Sequence, residues 1–280
     1  MQILLCTNGF ETTRPALTYG MWLAEKLRNP VTLLGILEDP EDQNQLEILI
    51  NETAQSLKNK KIQFQTLLRE GRASIEISKQ AQGGDYLTIV GPFGRPALRR
   101  WVRGRTFRRL LARLATPLLY VPEANLTMEH VLVCMGGLGF ASSMEAVILY
   151  LAKATGAKLT LLNVVEPLSL DYPIAREVHQ HLQDLPETDT PQGRNLKKGL
   201  ERAQQAGLEA EVKVRHGNII KEIMEELHSN NYDLVGLGSS YSAHGLRHLY
   251  LPNVTAEVAE AVNHPVLTVR ADYKLVVENH

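Results

Sequence analysis

Short apolar runs alternate along this chain with longer stretches in which apolar residues return every three or four positions. QILLCT, Gln2–Thr7, is nearly continuous in apolar character and has turn residues behind it, which predicts a strand covered on both faces. Residues 12–27 then put Ala16, Leu17, Gly20, Leu23, Ala24 and Leu27 on one side of a helix. Val31–Leu37 predicts a second buried strand, and 41–58 a second helix through Leu46, Leu49, Ile50, Ala54 and Leu57. Residues 62–68 alternate more evenly and predict an edge strand. A helix at Ala73–Gln82, a strand at Tyr86–Val90, a helix at 106–114 and a last strand at 117–121 complete the series. Strands alternating with helices in this way predict an α/β fold, a parallel sheet with helices on both faces. Ligands of such sheets sit at the carboxyl ends of the strands, so the turns after the first and fourth strands are the places to look for chemistry.

The pattern then recurs. QILLCTNG at residue 2 matches HVLVCMGG at residue 130, and VTLLGILEDP from Val31 matches LTLLNVVEPL from Leu159, both at a spacing of 128 that places Glu38 on Glu166. Gly71 falls on Gly217, Gly91 on Gly238 and Pro117 on Pro265, so the spacing grows to 146, 147 and 148. Most of that growth lies between Glu166 and Gln192, a proline-bearing stretch that predicts an extended loop with one short helix. A unit of this length occurring twice predicts two duplicated domains, at 1–124 and 128–272, rather than a solenoid.

Composition narrows the function classes. The formal net charge of the 280 residues is −1, so a basic site for nucleic acid or an anionic membrane has to be local. No apolar run approaches the roughly 20 residues needed to span a bilayer. The first residues lack the pattern of a secretory signal, which predicts a reducing cytoplasmic setting. Cys6 and Cys134 both sit inside apolar runs and read as buried free thiols. The local basic site is GPFGRPALRRWVRGRT, residues 91–106, with Gly91, Gly94 and Gly104 among five arginines, directly after the predicted strand Tyr86–Val90. Glycines there let backbone N–H groups approach an anion, and a helix opening at the end of the segment favours negative charge at its N-terminus.

The glycine spacing resembles that of the universal stress protein family, whose nucleotide-binding members carry G-x2-G-x9-G-[ST] after the fourth strand. Gly91, Gly94 and Gly104 stand at that spacing, with Arg105 in the serine or threonine position and Thr106 one residue on. The strand order, the TPLLYVP ending and the duplication extend the resemblance over nearly the whole chain. It implies an adenine-nucleotide alpha-hydrolase-like fold of two open five-stranded parallel sheets. It also implies a cytoplasmic stress-response regulatory protein that binds ATP or a related nucleotide, with magnesium as the companion of ATP, in the first repeat, with little or no catalysis; the residues themselves offer no catalytic or metal-ligand set. By the resemblance Gly91, Gly94, Gly104, Arg105 and Thr106 surround the phosphates, Thr7 and Asn8 lie near the ribose, Ile36 lies near the base, and Val90 belongs to the same nucleotide site. Asn8 stands where the family tends to have aspartate, which keeps an acceptor and removes the charge. The resemblance also implies that PLLYV and PVLTV pair between the domains, and it leaves further association into a homodimer open.

The second repeat departs from the pattern. Its turn, GSSYSAHGLRHLYLPNVT, keeps Gly238 but has Pro252-Asn253 where the last glycine pair falls, and Gly136 replaces the strand-one aspartate, which predicts a degenerate site. Gly137, Gly139 and Ser142 form a partial dinucleotide fingerprint with Glu166 beyond it, but its third glycine is absent. His179 and His181, and His244 and His248, have ligand-like spacing without a neighbouring cysteine or acid pair and read as solvent-exposed. The arginine cluster, which adds Arg108, Arg109 and Arg113 on the following helix, fits a solvated face, a phosphate site or a surface for nucleic acid or an acidic protein, though it lacks the interleaved aromatics of a single-strand binder. Two other functional classes therefore stay open from sequence: a nucleotide-free scaffold using the arginine surface to contact an acidic partner, and a slow ATP hydrolase or other nucleotide-using enzyme.

Overall fold

The structure, a computed structural model, describes residues 1–93, 105–135, 141–166, 182–239, 254–270 and 273–275. The first repeat runs β1 (Gln2–Thr7), α1 (Arg14–Leu27), β2 (Val31–Leu37), α2 (Gln43–Asn59), β3 (Phe64–Glu70), α3 (Ala73–Gln82), β4 (Tyr86–Val90), α4 (Arg105–Arg113) and β5 (Leu118–Tyr120). The second runs β6 (His130–Cys134), α5 (Ala141–Thr155), β7 (Lys158–Val165), α6 (Pro191–Gln205), β8 (Ala210–His216), α7 (Ile219–Ser229), β9 (Leu234–Ser239), α8 (Val254–Ala261) and β10 (Val266–Arg270).

The strands form one sheet, in the order β3-β2-β1-β4-β5-β10-β9-β6-β7-β8. The two five-stranded halves expected from sequence are thus joined into a single ten-stranded sheet. Within each repeat neighbours are parallel, but β5 and β10 meet antiparallel, with Val266 opposite Tyr120, Leu267 opposite Leu119 and Thr268 opposite Leu118. The physical reason is the edge: alone, each repeat would end in a short apolar strand with unpaired backbone groups, and joining them satisfies both.

Alternation along the strands sends side chains into two cores. Ile3, Leu5, Leu33, Leu87 and Ile89 face α1 and α2, and this cluster continues through Val131, Val133 and Met144 into the second repeat. Leu4, Cys6, Leu34, Ile36 and Val90 face the opposite side, with Ile77, Phe107, Leu110 and Leu111 from α3 and α4. Cys6 is buried there as a free thiol, and burial pushes its ionisation up. Cys134 is also free but only half-buried.

The predicted edge strand begins two residues later than expected. Lys61 takes a left-handed backbone, φ 57°, and the Ile62 N–H returns to the Leu57 carbonyl at 3.0 Å. Ile62 therefore closes the end of α2 in a Schellman-type turn and packs on the core instead of starting β3. In the inserted stretch a 3-10 turn at Leu182–Glu187 precedes α6, whose first turn is capped by the Thr190 hydroxyl accepting from Gly193 N–H at 3.1 Å. Residues 167–181 lie outside the described residues. The connection between repeats is pinned by Asp233, whose carboxylate accepts from Asn125 Nδ2, Thr127 Oγ1 and the N–H groups of Glu129 and His130.

Candidate functional site

β1 has β2 on one side and β4 on the other, so the lateral direction of the chain reverses at the β1–β4 boundary. Three segments meet at the carboxyl ends of these strands: the turn after β1, Glu38 just past β2, and Gly91 just past β4.

The turn after β1 is built from its own hydroxyls. Thr13 Oγ1 donates to the Phe10 carbonyl at 2.7 Å, which uses its single proton. The Thr7 hydroxyl therefore donates to Thr13 Oγ1 at 2.6 Å while accepting from Gly9 N–H at 3.0 Å. Gly9 has φ +87°, and a Cβ there would stand 2.6 Å from the Cα of Leu46, so both conformation and space demand glycine. Thr7 has no exposed surface and its proton is spent inside the turn.

Asn8 is 3% exposed. Its Nδ2 donates to Glu38 Oε2 at 3.2 Å, and the other Glu38 oxygen accepts at 2.9 Å from the N–H of Ala73, the first residue of α3. The Asn8 carbonyl oxygen, Oδ1, is buried and has no hydrogen-bond partner among the described residues, and neither does Thr12 Oγ1. Gly91 closes the gap from the β4 side. A Cβ on it would lie 3.1 Å from both the Thr12 carbonyl oxygen and the Thr13 Cα, so the missing side chain is what lets the two turns touch.

Of the residues singled out from sequence, Thr7, Asn8, Val90 and Gly91 come together at this switch point. Val90 points into the core, and Ile36 is fully buried in the same cluster beside Ala73 and Ile77. Thr106 is the second residue of α4 and is half-buried. Arg105 begins α4, but its side chain, like Gly94 and Gly104, lies outside the described residues. Sequence reasoning missed Gly9, Thr12, Thr13 and Glu38. The recurrence of Glu38 as Glu166 was the one signal that could have pointed to an acid at the end of β2. The arginine face is partly committed within the protein: Arg108 of α4 donates through Nε and Nη2 to the carboxylate of Glu260 of α8, at 2.6 and 2.7 Å.

The second repeat handles the same place differently. Met135 replaces Thr7, and its carbonyl accepts from Asn163 Nδ2 at 2.7 Å. The Thr255 hydroxyl, near the start of α8, donates to the Gly238 carbonyl at 3.0 Å. Gly136, Gly137, Gly139, Pro252, Asn253 and the four histidines His179, His181, His244 and His248 lie outside the described residues, as does the side chain of Ser142. Among the described residues no three metal-ligating side chains converge, and no helix is long and apolar enough to cross a membrane.

Comparisons with known proteins agree on the architecture. Universal stress protein Slr1230 of Synechocystis sp. is 24% identical, with 96% of this chain and 99% of that protein aligned. The crystal structure of a universal stress protein from Archaeoglobus fulgidus superposes with a TM-score of 0.69 at 17% identity, over 96% of each chain. Protein PA1789 from Pseudomonas aeruginosa, described as functionally unknown, gives 0.70 at 16% identity, over 96% of this chain and 92% of that one. The model of the universal stress protein family matches residues 128–270, half of the chain. The chain thus belongs to the universal stress protein family.

Proposed function

We propose that residues 1–124 and 128–272 form two related domains, and that the first binds ATP or a related nucleotide at the carboxyl ends of β1 and β4. In this reading the protein is a regulatory binding protein with little or no catalysis. The observation that carries it is the Asn8 carbonyl oxygen, buried at the switch point without a donor among the described residues. A buried acceptor left unpaired costs about 1–3 kcal/mol, and a ligand that brings a hydroxyl removes that cost. A ribose is such a ligand. Gly91 supports the same reading, since its bare backbone begins the glycine series that leads to the N-terminus of α4, where anions are favoured. Arg105 and Thr106 would then reach the phosphates, and magnesium would arrive with ATP as its counter-ion.

Native mass spectrometry of the purified protein followed by calorimetry with ATP tests this. Binding at millimolar ATP or below is expected, weakened about tenfold in Asn8→Ala, as for the loss of one hydrogen bond to a buried partner. The absence of any binding at millimolar ATP would end the reading.

A further inference from the structure

We propose that Glu38 is a positioning residue that sets the hydrogen-bonding polarity of the first-repeat site, making Asn8 an acceptor and so selecting a ligand that presents hydroxyl protons at this point. The inference rests on the nucleotide reading for the identity of the ligand and on the Asn8–Glu38 pair for its mechanism.

An asparagine side chain is ambivalent. Either end of its amide can face a ligand, so its polarity belongs to whatever holds the other end. Here the other end is held by a carboxylate, which only accepts. Glu38 Oε2 takes the Asn8 amide protons and Oε1 takes the N–H of Ala73 at the start of α3. Both oxygens are thus occupied by donors, and the amide cannot rotate by half a turn without facing one acceptor with another. The carbonyl of Asn8 is left as the atom without a partner among the described residues. Thr12 Oγ1, also buried without a partner among the described residues, adds a hydroxyl that can donate or accept in the same turn, next to Gly91. The pair also accounts for the residue type at position 8. An aspartate there would place a second carboxylate against Glu38 in place of the amide 3.2 Å away, and the two would repel. Asn8 and Glu38 form one unit, and each residue is intelligible only with the other.

Glu38→Gln is the informative change, because it keeps size and shape. A glutamine has one accepting oxygen. Used on Ala73 N–H, it turns an NH2 toward Asn8, whose amide rotates to meet it and then shows its own NH2 to the ligand. Asn8→Asp combined with Glu38→Gln restores an acceptor, since the introduced glutamine amide donates to one carboxylate oxygen and the other faces the ligand.

Calorimetry with ATP and with 2′,3′-di-O-methyl-ATP, whose ether oxygens accept but cannot donate, on wild type, E38Q, N8D and the N8D/E38Q double variant tests the proposal, with folding checked by circular dichroism. Wild type is expected to prefer ATP by about tenfold. E38Q is expected to lose most of that preference while retaining its fold, and N8D/E38Q to recover it. A wild-type preference kept intact in E38Q overturns the proposal. If wild type binds neither nucleotide, the reading of the ligand fails, and thermal melting judges the pair alone. N8D is then expected to melt below wild type and N8D/E38Q to regain most of the loss, whereas additive losses in the double variant overturn the positioning role as well.

Discussion

At the scale of single residues, the duplication provides an internal control. Leu17 of α1 is buried in the core at 1% exposure, and the residue 128 positions later is Glu145 of α5, buried at 5%. Glu145 Oε2 accepts from Arg202 at 2.8 Å, while Oε1 has no partner among the described residues. Burial raises its ionisation above the ordinary carboxylate range, against the pull of the Arg202 guanidinium. A carboxyl whose folded pKa is raised contributes stability that is present below its unfolded pKa and lost as pH rises through the folded one. Glu145→Leu, copying the first repeat, is therefore expected to stabilise the protein by about 1–2 kcal/mol at neutral pH, with the gain shrinking toward acid pH. Urea unfolding at two pH values measures both the gain and its slope. Thr7 shows the opposite side of residue-level reading. Its type and place were legible, but its hydroxyl is committed to Thr13 because Thr13 is itself committed to Phe10, a chain of partners that no spacing reveals.

At the scale of elements, the two repeats end their helices alike and with different residues. Arg28 terminates α1 in a left-handed conformation, φ 55°, where the end of α5 has Gly156 at φ 75°. Lys61 does the same after α2, φ 57°, where the end of α6 has Gly207, also at φ 75°. The turns match in detail, because Ile62 N–H returns to the Leu57 carbonyl just as Leu208 N–H returns to the Ala203 carbonyl, both at 3.0 Å. A side chain in this conformation costs about 1–2 kcal/mol, part of which glycine gives back as chain entropy. Arg28→Gly and Lys61→Gly are each expected to raise stability by about 0.5–1 kcal/mol in thermal melting. Element types were legible from the apolar periodicity, since every strand and helix predicted for the first repeat is present. Boundaries were less so where a cap consumed a residue with strand character, as at Ile62. The site was legible as a place, the ends of β1 and β4, and through Asn8 and Gly91. Glu38 was not, because its role depends on β2 lying beside β1 and on α3 starting beneath it, which are facts of three dimensions.

At the scale of the whole molecule, the seam decides how the protein unfolds. One core cluster runs from Ile3 to Val269 across both repeats, and β5 pairs with β10. Tyr273 reaches back to donate to Asp85 at 2.7 Å, and Asn29 donates to the Tyr150 hydroxyl at 3.0 Å. These links join sequence-distant segments, so a single cooperative transition is expected. Both tryptophans, Trp22 and Trp101, belong to the first repeat, whereas far-ultraviolet circular dichroism reports on the whole chain. Urea curves followed by the two signals should coincide, and a fluorescence transition displaced from the other would mean that the repeats unfold separately. At the outer margin of the sheet, β8 carries Lys213 and Arg215, both tied to the buried Glu226. Placing charges there is one way of discouraging a further strand from adding.

The antiparallel join also fixes a direction. Because β5 and β10 run oppositely, the strands of the first repeat finish on one rim of the sheet and those of the second on the other. Asn8 and Gly91 open toward one side of the molecule, while Met135 and Gly238 open toward the far side, a strand length of roughly 20 Å away. A ligand held at the first rim and a protein docked at the second would not compete for space.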